Sequence, residues 1–372
     1  MITVKEVTSA KERRIFLNFP IKLYKGNEFF VPPLYIDEKK IFRKDYVYND
    51  MCDVIFLLAF KDNLPVGRIS GIIQVAANEK WGQKRVRFTR FDAIDDQAVA
   101  NALFDAVVRW AKDKGMTELV GPLGYSDLER EGLLIEGFDQ LSTFEEQYNF
   151  PYYQKLIENY GFVKEVDWLE HKLYLPKERD EKLHRVSAML MEKYGLTLIR
   201  AKSIKEYLKQ YRQQFFEILD KTYVNIYGSV PFTDKMAEIM VENFKLIATP
   251  DNVATIVDKD GKVVGFALSF PSIAEIVNKS KGRLTIPFIL RFLRVKKHPK
   301  IIDLGLIGVL PEYESKGIAT VMIAALQETL AGKNIEHLET NLVLEDNFHS
   351  LNLQKRFKRV MHKKRRCFVK QI

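Results

Sequence analysis

The chain has 372 residues, of which 47% are hydrophobic and 29% charged, with a net charge of +9. This composition is typical of a globular protein and excludes a disordered or fibrous chain, and the length is sufficient for two domains with separate cores. The longest apolar runs, such as 54–60, are too short to span a bilayer, and residues 1–14 lack an apolar signal core. Only two cysteines, Cys52 and Cys367, are present, which suits a reducing compartment. We therefore expect a cytoplasmic protein with no membrane partner.

The first half of the chain predicts a β-hairpin, a third strand, a helix and a fourth strand. The hairpin turns at Asp62-Asn63, and the helix begins after Asp95 or Asp96 and ends before Gly115. The predicted elements are strands 54–60, 66–73 and 85–92, a helix over 97–114 and a strand over 117–120. A short helix and a Gly-Phe turn follow in 151–162, and then a strand over 168–175.

An insertion over 121–148 is rich in glycine and in acidic residues. Long loops inside compact domains are often functional. The insertion could bind an amine substrate, dock against the basic second half, or cover the junction between the halves without any chemistry. Residues 176–193 are highly charged and then apolar, which predicts a linker that becomes a helix and places a domain boundary near residue 180.

The second half repeats the order of elements of the first. Its second strand begins with Val264-Gly265, as the corresponding strand of the first half begins with Val66-Gly67. The predicted elements are strands 253–257, 263–270 and 301–309, a helix over 318–331 and a strand over 336–344. The repeated order predicts an α/β fold that arose by tandem duplication.

The segment 303–332 is the most informative part of the chain. A strand runs into Val309-Leu310-Pro311, the turn continues through Glu314 to Ala319 with glycine at 317, and an amphipathic helix follows. A strand that feeds a helix through such a turn presents unpaired backbone N–H groups, which together with the helix dipole make an anion site suited to a pyrophosphate.

This pattern resembles the acyl-CoA-binding signature of the GCN5-related N-acetyltransferases (GNATs). The resemblance implies two tandem GNAT-like domains, over residues 1–180 and 181–372. Each would be a mixed, mostly antiparallel, twisted sheet with a splayed central strand pair, flanked by helices. It also implies acetyl-CoA, or another acyl-CoA, as co-substrate in the second domain.

The resemblance further implies which residues would bind the cofactor. Backbone groups of the splayed strand would hold the thioester carbonyl and the pantetheine arm, the turn would hold the pyrophosphate, and the residue at 347 would contact the pantetheine or cap a helix. These cofactor-binding candidates are Leu306, Ile307, Gly308, Val309, Tyr313, Glu314, Ser315, Lys316, Gly317, Ile318, Ala319 and Asn347. Glu314 stands where the family has Gln or Arg, and a carboxylate is unfavourable beside a pyrophosphate unless it points away.

The catalytic groups depart from the common pattern. Asp303 stands where some family members carry a glutamate base, or it makes only a local hydrogen bond at the start of its strand. Gln354 stands where the family has a tyrosine acid, and glutamine cannot donate a proton as an acid. Glu339 and Asn341 could line the acceptor side, or they could be strand-surface residues. The family's variable first helices, which bind the acceptor, correspond to the region of Tyr223, Tyr227, Pro231 and Phe232, and ordinary core or loop packing is the role that we expect for each.

The first half lacks the glycine turn. Its strand 85–92 is followed by Ala93-Ile94-Asp95-Asp96, where two aspartates oppose an anion and no glycine lets the backbone approach one. We therefore expect the first half not to bind CoA.

The predicted function is acyl transfer, most simply of acetyl from acetyl-CoA, to the amine of a small molecule or peptide. The alternatives are a non-catalytic acyl-CoA-binding or interaction protein, and a transferase that uses aminoacyl-tRNA. The basic residues after Asp346 form a surface for a phosphate-bearing ligand, or a solvated helix face and edge strand. No metal-ligand spacing and no DNA-binding signature is present.

Overall fold

The computed structural model describes all 372 residues, and its strands form one mixed, mostly antiparallel sheet flanked by helices. The strands are β1 Ile2–Glu6, β2 Cys52–Lys61, β3 Leu64–Gln74, β4 Arg85–Ala93, β5 Glu118–Gly121, β6 Leu133–Glu136, β7 Val163–Tyr174, β8 Thr197–Ile199, β9 Val253–Val257, β10 Val263–Pro271, β11 Ile301–Val309, β12 His337–Thr340, β13 Val343–Leu344 and β14 Lys358–Gln371. The helices are α1 Ala10–Leu23, α2 Tyr35–Glu38, α3 Val75–Trp81, α4 Gln97–Asp113, α5 Tyr152–Asn159, α6 Glu181–Tyr194, α7 Ile204–Tyr223, α8 Asp234–Ile247, α9 Ala274–Ser280, α10 Ile286–Lys297, α11 Ile318–Leu330 and α12 Phe348–Gln354.

The predicted repeat is confirmed at the level of register. Gly67 of β3 pairs with Ala93 of β4, and Gly265 of β10 pairs with Val309 of β11. A Cβ on Gly67 would lie 2.8 Å from a side-chain carbon of Leu103, and one on Gly265 would lie 2.6 Å from Met322. In each half the glycine thus lets the following helix, α4 or α11, pack closely on the sheet.

The two halves exchange their last strands. The order along the sheet is β1-β2-β3-β4-β5-β14-β7-β12-β11-β10-β9-β8. The C-terminal strand β14 therefore lies beside β5 of the first half, and β7 of the first half lies beside β12 of the second. Since β14 and β7 also pair with each other, the sheet is continuous through both halves.

The prediction of an edge strand for the basic C-terminal segment was wrong, whereas Lys355, Arg356 and Lys358 are exposed as expected for a solvated surface. Strand β14 is an interior strand, and Lys363 and Arg365 have no exposed surface. Glu170 on β7 lies 3.0 Å from Lys363 Nζ and 2.6 Å from Arg365 Nε. Buried ions need such partners because water no longer solvates them.

The strand predicted over 336–344 is interrupted at Asn341 and Leu342. Residues 337–340 pair with β11 and β7, whereas residues 343 and 344 pair with β7 alone. The chain thus turns away from β11 at the break. No helix is both long enough and apolar enough to cross a membrane.

Candidate active site

The strands β11 and β12 are paired only at their beginnings. The parallel register covers Ile301–Leu304 against His337–Thr340. Beyond this point β11 continues to Val309 in contact with β10, while the other strand breaks at Asn341. A gap therefore opens in the sheet from Gly305 onward.

Two cavities meet at this gap. The first, the α11 cavity, has a volume of 560 Å³ and is lined by β11, α11 and α12. The second, the interdomain cavity, has a volume of 720 Å³ and is lined by residues of both halves. Both cavities are bordered by Tyr223, Ile226, Leu268, Gly305, Leu306, Asn341, Leu342 and Asn347. A molecule in one cavity can therefore contact a molecule in the other.

Eight of the residues proposed for the site from the sequence line the α11 cavity. They are Leu306, Ile307, Gly308, Val309, Glu314, Ala319, Asn347 and Gln354. Asn347 also caps α12, because its Oδ1 accepts a hydrogen bond from Ser350 N at 3.1 Å. The amide of Gln354 is buried, and its Oε1 has no hydrogen-bond partner in the protein.

The remaining residues of the turn lie outside the cavity lining. Tyr313 donates a hydrogen bond to Asp258 at 3.1 Å, and Lys316 Nζ lies 3.8 Å from the centre of the Tyr313 ring. The side chain of Ile318 is buried in the core, and Ser315 is exposed. Only backbone groups of Ile318 can therefore serve a ligand.

Gly317 ends the turn in the left-handed region, with φ of 76°, where glycine is favoured. It begins α11 without any side-chain cap. The first N–H groups of a helix are left without intrahelical partners, and they attract an anion. The turn 311–316 and α11 thus have the local geometry of an anion site beside the α11 cavity.

Tyr223, for which we expected ordinary packing, occupies the gap itself. Its hydroxyl lies 3.3 Å from Ile307 N and donates to Ile307 O at 3.2 Å. Burial raises the pKa of Tyr223 to about 12, so the hydroxyl keeps its proton at neutral pH. Tyr223 ends α7, whose buried stripe contains Tyr207, Tyr211 and Phe215. In the sequence, Tyr223 is one of several aromatic residues between 207 and 223, and no local pattern distinguishes it.

Asp303 lies in the lining of the interdomain cavity. It faces Glu339 across the parallel strands, and its Oδ1 has no hydrogen-bond partner. Burial, together with the negative charge of Glu339, raises the pKa of Asp303 to about 8.

Glu339 keeps its charge in spite of burial. His337 and His362 lie 3.3 Å and 3.1 Å from its oxygens, and Lys363 donates to it at 2.9 Å. These contacts lower the pKa of Glu339 although burial acts in the opposite direction. The carboxyl group of Asp303 therefore lies on the strand next to a carboxylate that stays charged.

The acidic insertion both docks on the second half and lines the interdomain cavity. Strand β6 pairs with β14, and the carbonyl of Leu141 lies 3.3 Å from Lys363 Nζ. Its acidic residues that border the cavity are Asp127, Glu129, Glu131, Glu145 and Glu146. Burial raises the pKa of Glu131 well above its usual value and that of Glu146 to about 8. Binding of a cation would favour the ionised form of these carboxyl groups, because an opposite charge nearby lowers the pKa of a carboxyl group.

The corresponding place in the first half is filled by its own side chains. Ala93, which matches Val309 in register, donates its N–H to Tyr153 Oη at 3.0 Å and accepts from Tyr152 Oη at 2.7 Å. Phe91 packs against Tyr153 and Phe104. The backbone at the end of β4 is therefore already occupied by α5.

A splayed strand pair that leads through a glycine turn into a helix, with cavities on both sides of the gap, defines the N-acetyltransferase class of fold. Residues 212–358 match the acetyltransferase (GNAT) family. Residues 212–358 therefore carry the GNAT domain that the sequence predicted, and the whole chain has the fold of a tandem GNAT protein.

Two curated proteins are similar over almost the whole chain. Protein YghO of Escherichia coli K12 is 28% identical over 99% of this chain and 95% of its own length. The bacterial ceramide synthase of Caulobacter vibrioides is 26% identical over 93% of this chain and 91% of its own length.

Among solved structures, a tandem GNAT protein from the clavulanic acid biosynthesis pathway covers 100% of this chain, and 98% of that chain is covered in turn. Its TM-score is 0.58 at 10% identity. This similarity shows the shared fold and nothing about the substrate.

Proposed function

We propose that this protein is an N-acyltransferase that transfers an acyl group directly from acyl-CoA to an amine, using a single site in residues 181–372. The observation that carries the proposal is that the two cavities meet at the gap between β11 and β12. A thioester that enters from the α11 cavity and an amine that enters from the interdomain cavity would meet beside Gly305 and Leu306.

The α11 cavity suits the CoA. Its pantetheine arm would run along the edge of β11 from Leu306 to Val309, and its pyrophosphate would rest on the turn before α11. Glu314 is exposed, so its carboxylate can turn towards solvent. The N–H of Ile307 faces the gap and is a candidate hydrogen-bond donor to the thioester carbonyl. It can donate there once its hydrogen bond to the Tyr223 hydroxyl is broken.

The interdomain cavity supplies the groups that an amine needs. An ammonium ion in this cavity would stabilise the ionised form of Asp303 and of the carboxyl groups of the insertion, and it must lose a proton before it can attack. Ionised Asp303 would take that proton, which is general base catalysis. The amine nitrogen then bonds to the carbonyl carbon and the carbon–sulfur bond breaks. The thiolate that leaves would receive a proton from Tyr223, and the second proton of the nitrogen, released as the amide forms, would restore the tyrosine hydroxyl.

The acceptor that best fits the interdomain cavity is an amine with a large apolar body. Nineteen of the 34 residues that line this cavity are hydrophobic, and its volume of 720 Å³ far exceeds the needs of a small amine. A ceramide is an N-acylated long-chain amino alcohol, so the name of the Caulobacter vibrioides relative agrees with N-acylation. We keep acetyl as the simplest acyl group and test it beside a fatty acyl group. Acyl-CoA supply places the reaction in the cytoplasm.

The test is an assay of CoA release with acetyl-CoA and with palmitoyl-CoA, each with a long-chain and a short-chain primary amine. Mass spectrometry identifies the product. We expect an N-acyl product from the long-chain amine, and none from the matching long-chain alcohol that lacks nitrogen. Tight acyl-CoA binding without any product across the amines would contradict catalysis and favour a non-catalytic binding protein.

A substitution at the start of α11 tests whether the measured transfer comes from this site or from a contaminating enzyme. Ala319→Glu places a carboxylate in the first turn of α11, where the helix dipole tolerates it but a pyrophosphate does not. We expect Ala319→Glu to keep the fold and to lose transfer. Ala98 holds the same second position in α4 of the first half, and Ala98→Glu is the matched control that should leave transfer unchanged.

A further inference from the structure

The helix α10 presents an apolar face to solvent. Phe288 is buried, and Phe292 and Val295 pack on the same cluster, so these three define the inner face. On the opposite side Ile286 is 77% exposed, Leu290 64% and Leu293 58%. Ile289 on the same face and Leu284 just before the helix are also exposed. Exposed apolar residues at this spacing form a continuous stripe along one side of a helix.

The same segment is strongly basic. Residues 276–302 contain no Asp or Glu and hold Lys279, Lys281, Arg283, Arg291, Arg294, Lys296, Lys297 and Lys300. These eight positive charges nearly equal the net charge of the whole chain, which is +9. Five of them, Lys281, Arg283, Arg291, Arg294 and Lys297, are exposed and make no ion pair. The charge is therefore available to a partner.

The two features are arranged around one helix. At 100° per residue, the stripe of Ile286, Ile289, Leu290 and Leu293 is flanked on one side by Arg291 and Arg294 and contains Lys297 near its centre. A helix with an apolar stripe bordered by cations is suited to lie in the interface of a bilayer, where the stripe meets acyl chains and the cations meet anionic headgroups.

We propose that α10 and the loop before it dock this protein on the surface of an anionic phospholipid membrane. The charge selects this occupant, because a second copy of the chain would bring the same uncompensated positive charges against it. The expectation of no membrane partner rested on the absence of a spanning segment, and a helix that lies on a membrane needs none. The docking is independent of the acyl-transfer reaction.

The docking surface is fixed relative to the interdomain cavity. Gly282, which precedes α10, is held by a hydrogen bond from Tyr35 N at 2.8 Å. At the other end of α10, Lys296 Nζ donates to the carbonyl of Leu246 at 2.8 Å. Leu246 belongs to α8, whose residues Ile239, Met240, Asn243 and Ile247 line the cavity. A membrane bound at α10 would therefore lie near α8, which forms one wall of the interdomain cavity.

The test is co-sedimentation of the purified full chain with vesicles. One set contains phosphatidylcholine alone, and the other contains three parts phosphatidylcholine to one part phosphatidylglycerol. We expect binding to the anionic vesicles and much weaker binding to the neutral ones, and added salt should reduce the anionic binding. Absence of binding to the anionic vesicles at low salt would overturn the proposal.

Surface variants then locate the interaction. The charge variant combines Arg291→Glu, Arg294→Glu and Lys297→Glu, and we expect it to bind anionic vesicles about 100-fold more weakly. Its matched control reverses three exposed, unpaired lysines elsewhere, Lys155→Glu, Lys182→Glu and Lys205→Glu, with the same change of net charge. Equal losses in variant and control would show a general charge effect and would overturn docking at α10.

Two further measurements separate insertion from self-association. The variant Leu293→Trp should show a blue shift of tryptophan emission on anionic vesicles, relative to the wild type with its three tryptophans. If vesicles shift the emission of Leu293→Trp no more than that of the wild type, the apolar face does not enter the bilayer. Sedimentation velocity then compares the wild type with the double variant Leu290→Ser, Leu293→Ser. If the wild type is a dimer and the variant is a monomer, the apolar face binds a second copy of the chain, and the proposal of membrane docking is overturned.

Discussion

The two halves of the sheet carry the same strand, turn and helix, but they treat the end of the central strand in opposite ways. In the first half, Tyr152 and Tyr153 of α5 bond the backbone of Ala93. In the second half, the matching strand ends beside open cavities, and only the hydroxyl of Tyr223 reaches the backbone at Ile307. The same architecture can therefore be closed by its own side chains or kept open for a ligand.

The start of the helix that follows the central strand also differs between the halves, because a side chain caps it only in the first half. The second half begins α11 with Gly317 and leaves its first amides without a side-chain cap. The first half begins α4 with Asp96, whose carboxylate accepts a hydrogen bond from Ala98 N at 3.0 Å. An aspartate cap supplies to the helix the negative charge that a pyrophosphate would otherwise bring. The first half satisfies its anion site internally.

The largest effect is expected from Asp303→Asn, which should lower kcat/KM by about 10²–10⁴-fold. The two side chains have the same shape, so the fold should persist. In the wild type, kcat/KM should rise with pH and level off above about 8, because the base must lose its proton and its pKa is raised to about 8. A flat profile between pH 6 and 9, or full activity in Asp303→Asn, would remove Asp303 from the mechanism.

The next prediction concerns the buried ion pairs between β7 and β14, which join the two halves. Glu170 on β7 bonds Lys363 and Arg365 of the exchanged strand β14, and all three are buried. We expect Glu170→Ala to lower the free energy of unfolding by about 3–5 kcal/mol, because buried Arg365 loses its nearest carboxylate and buried Lys363 keeps only Glu339. Chemical denaturation measures this change. A loss below about 1 kcal/mol, the range of exposed ion pairs, would mean that the network does not hold the halves together.

A pair of tyrosine variants sharpens the difference between the closed and open strands. Tyr223→Phe removes a hydroxyl at the gap and should reduce kcat about 10–100-fold, with little effect on KM for the amine. Tyr153→Phe removes the hydroxyl that fills the equivalent place and should cost about 1 kcal/mol of stability, with no effect on kcat. Equal losses of kcat in both variants would show that neither tyrosine acts as an acid.

Sequence reasoning succeeded where the determining contacts are close along the chain. The hairpins around Asp62-Asn63 and 258–261, the helices α4 and α11, and the turn at Gly317 all follow from local periodicity and turn residues. The turn also pointed to the family, so the general location of the candidate site could be predicted.

The rest depends on contacts between distant residues. Lys363 and Arg365 lie in a segment rich in positive charge, which is typical of a surface, and only the exchange of β7 and β14 brings Glu170 to them. Tyr223 is one of several aromatic residues on α7, and nothing local shows that it reaches Ile307, 84 residues away. The acidic insertion was left with three possible roles, because its neighbours in space are β14 and the cavity.

The smallest effect concerns the departure from the family pattern at Glu314. Because this carboxylate is exposed at the turn, we expect Glu314→Gln to strengthen acyl-CoA binding only about 2–5-fold, as one repulsive charge is removed. Calorimetric titration at low ionic strength measures the difference, which should shrink as salt is added. Weaker binding in Glu314→Gln would mean that the carboxylate itself contacts the CoA.

The most direct test of the contrast between the halves is the stoichiometry of CoA binding. Calorimetric titration with acetyl-CoA should give one site per chain in the wild type and in Ala98→Glu, and no binding in Ala319→Glu. Two sites per chain, or binding that survives Ala319→Glu and is lost in Ala98→Glu, would contradict the assignment of the open site to the second half.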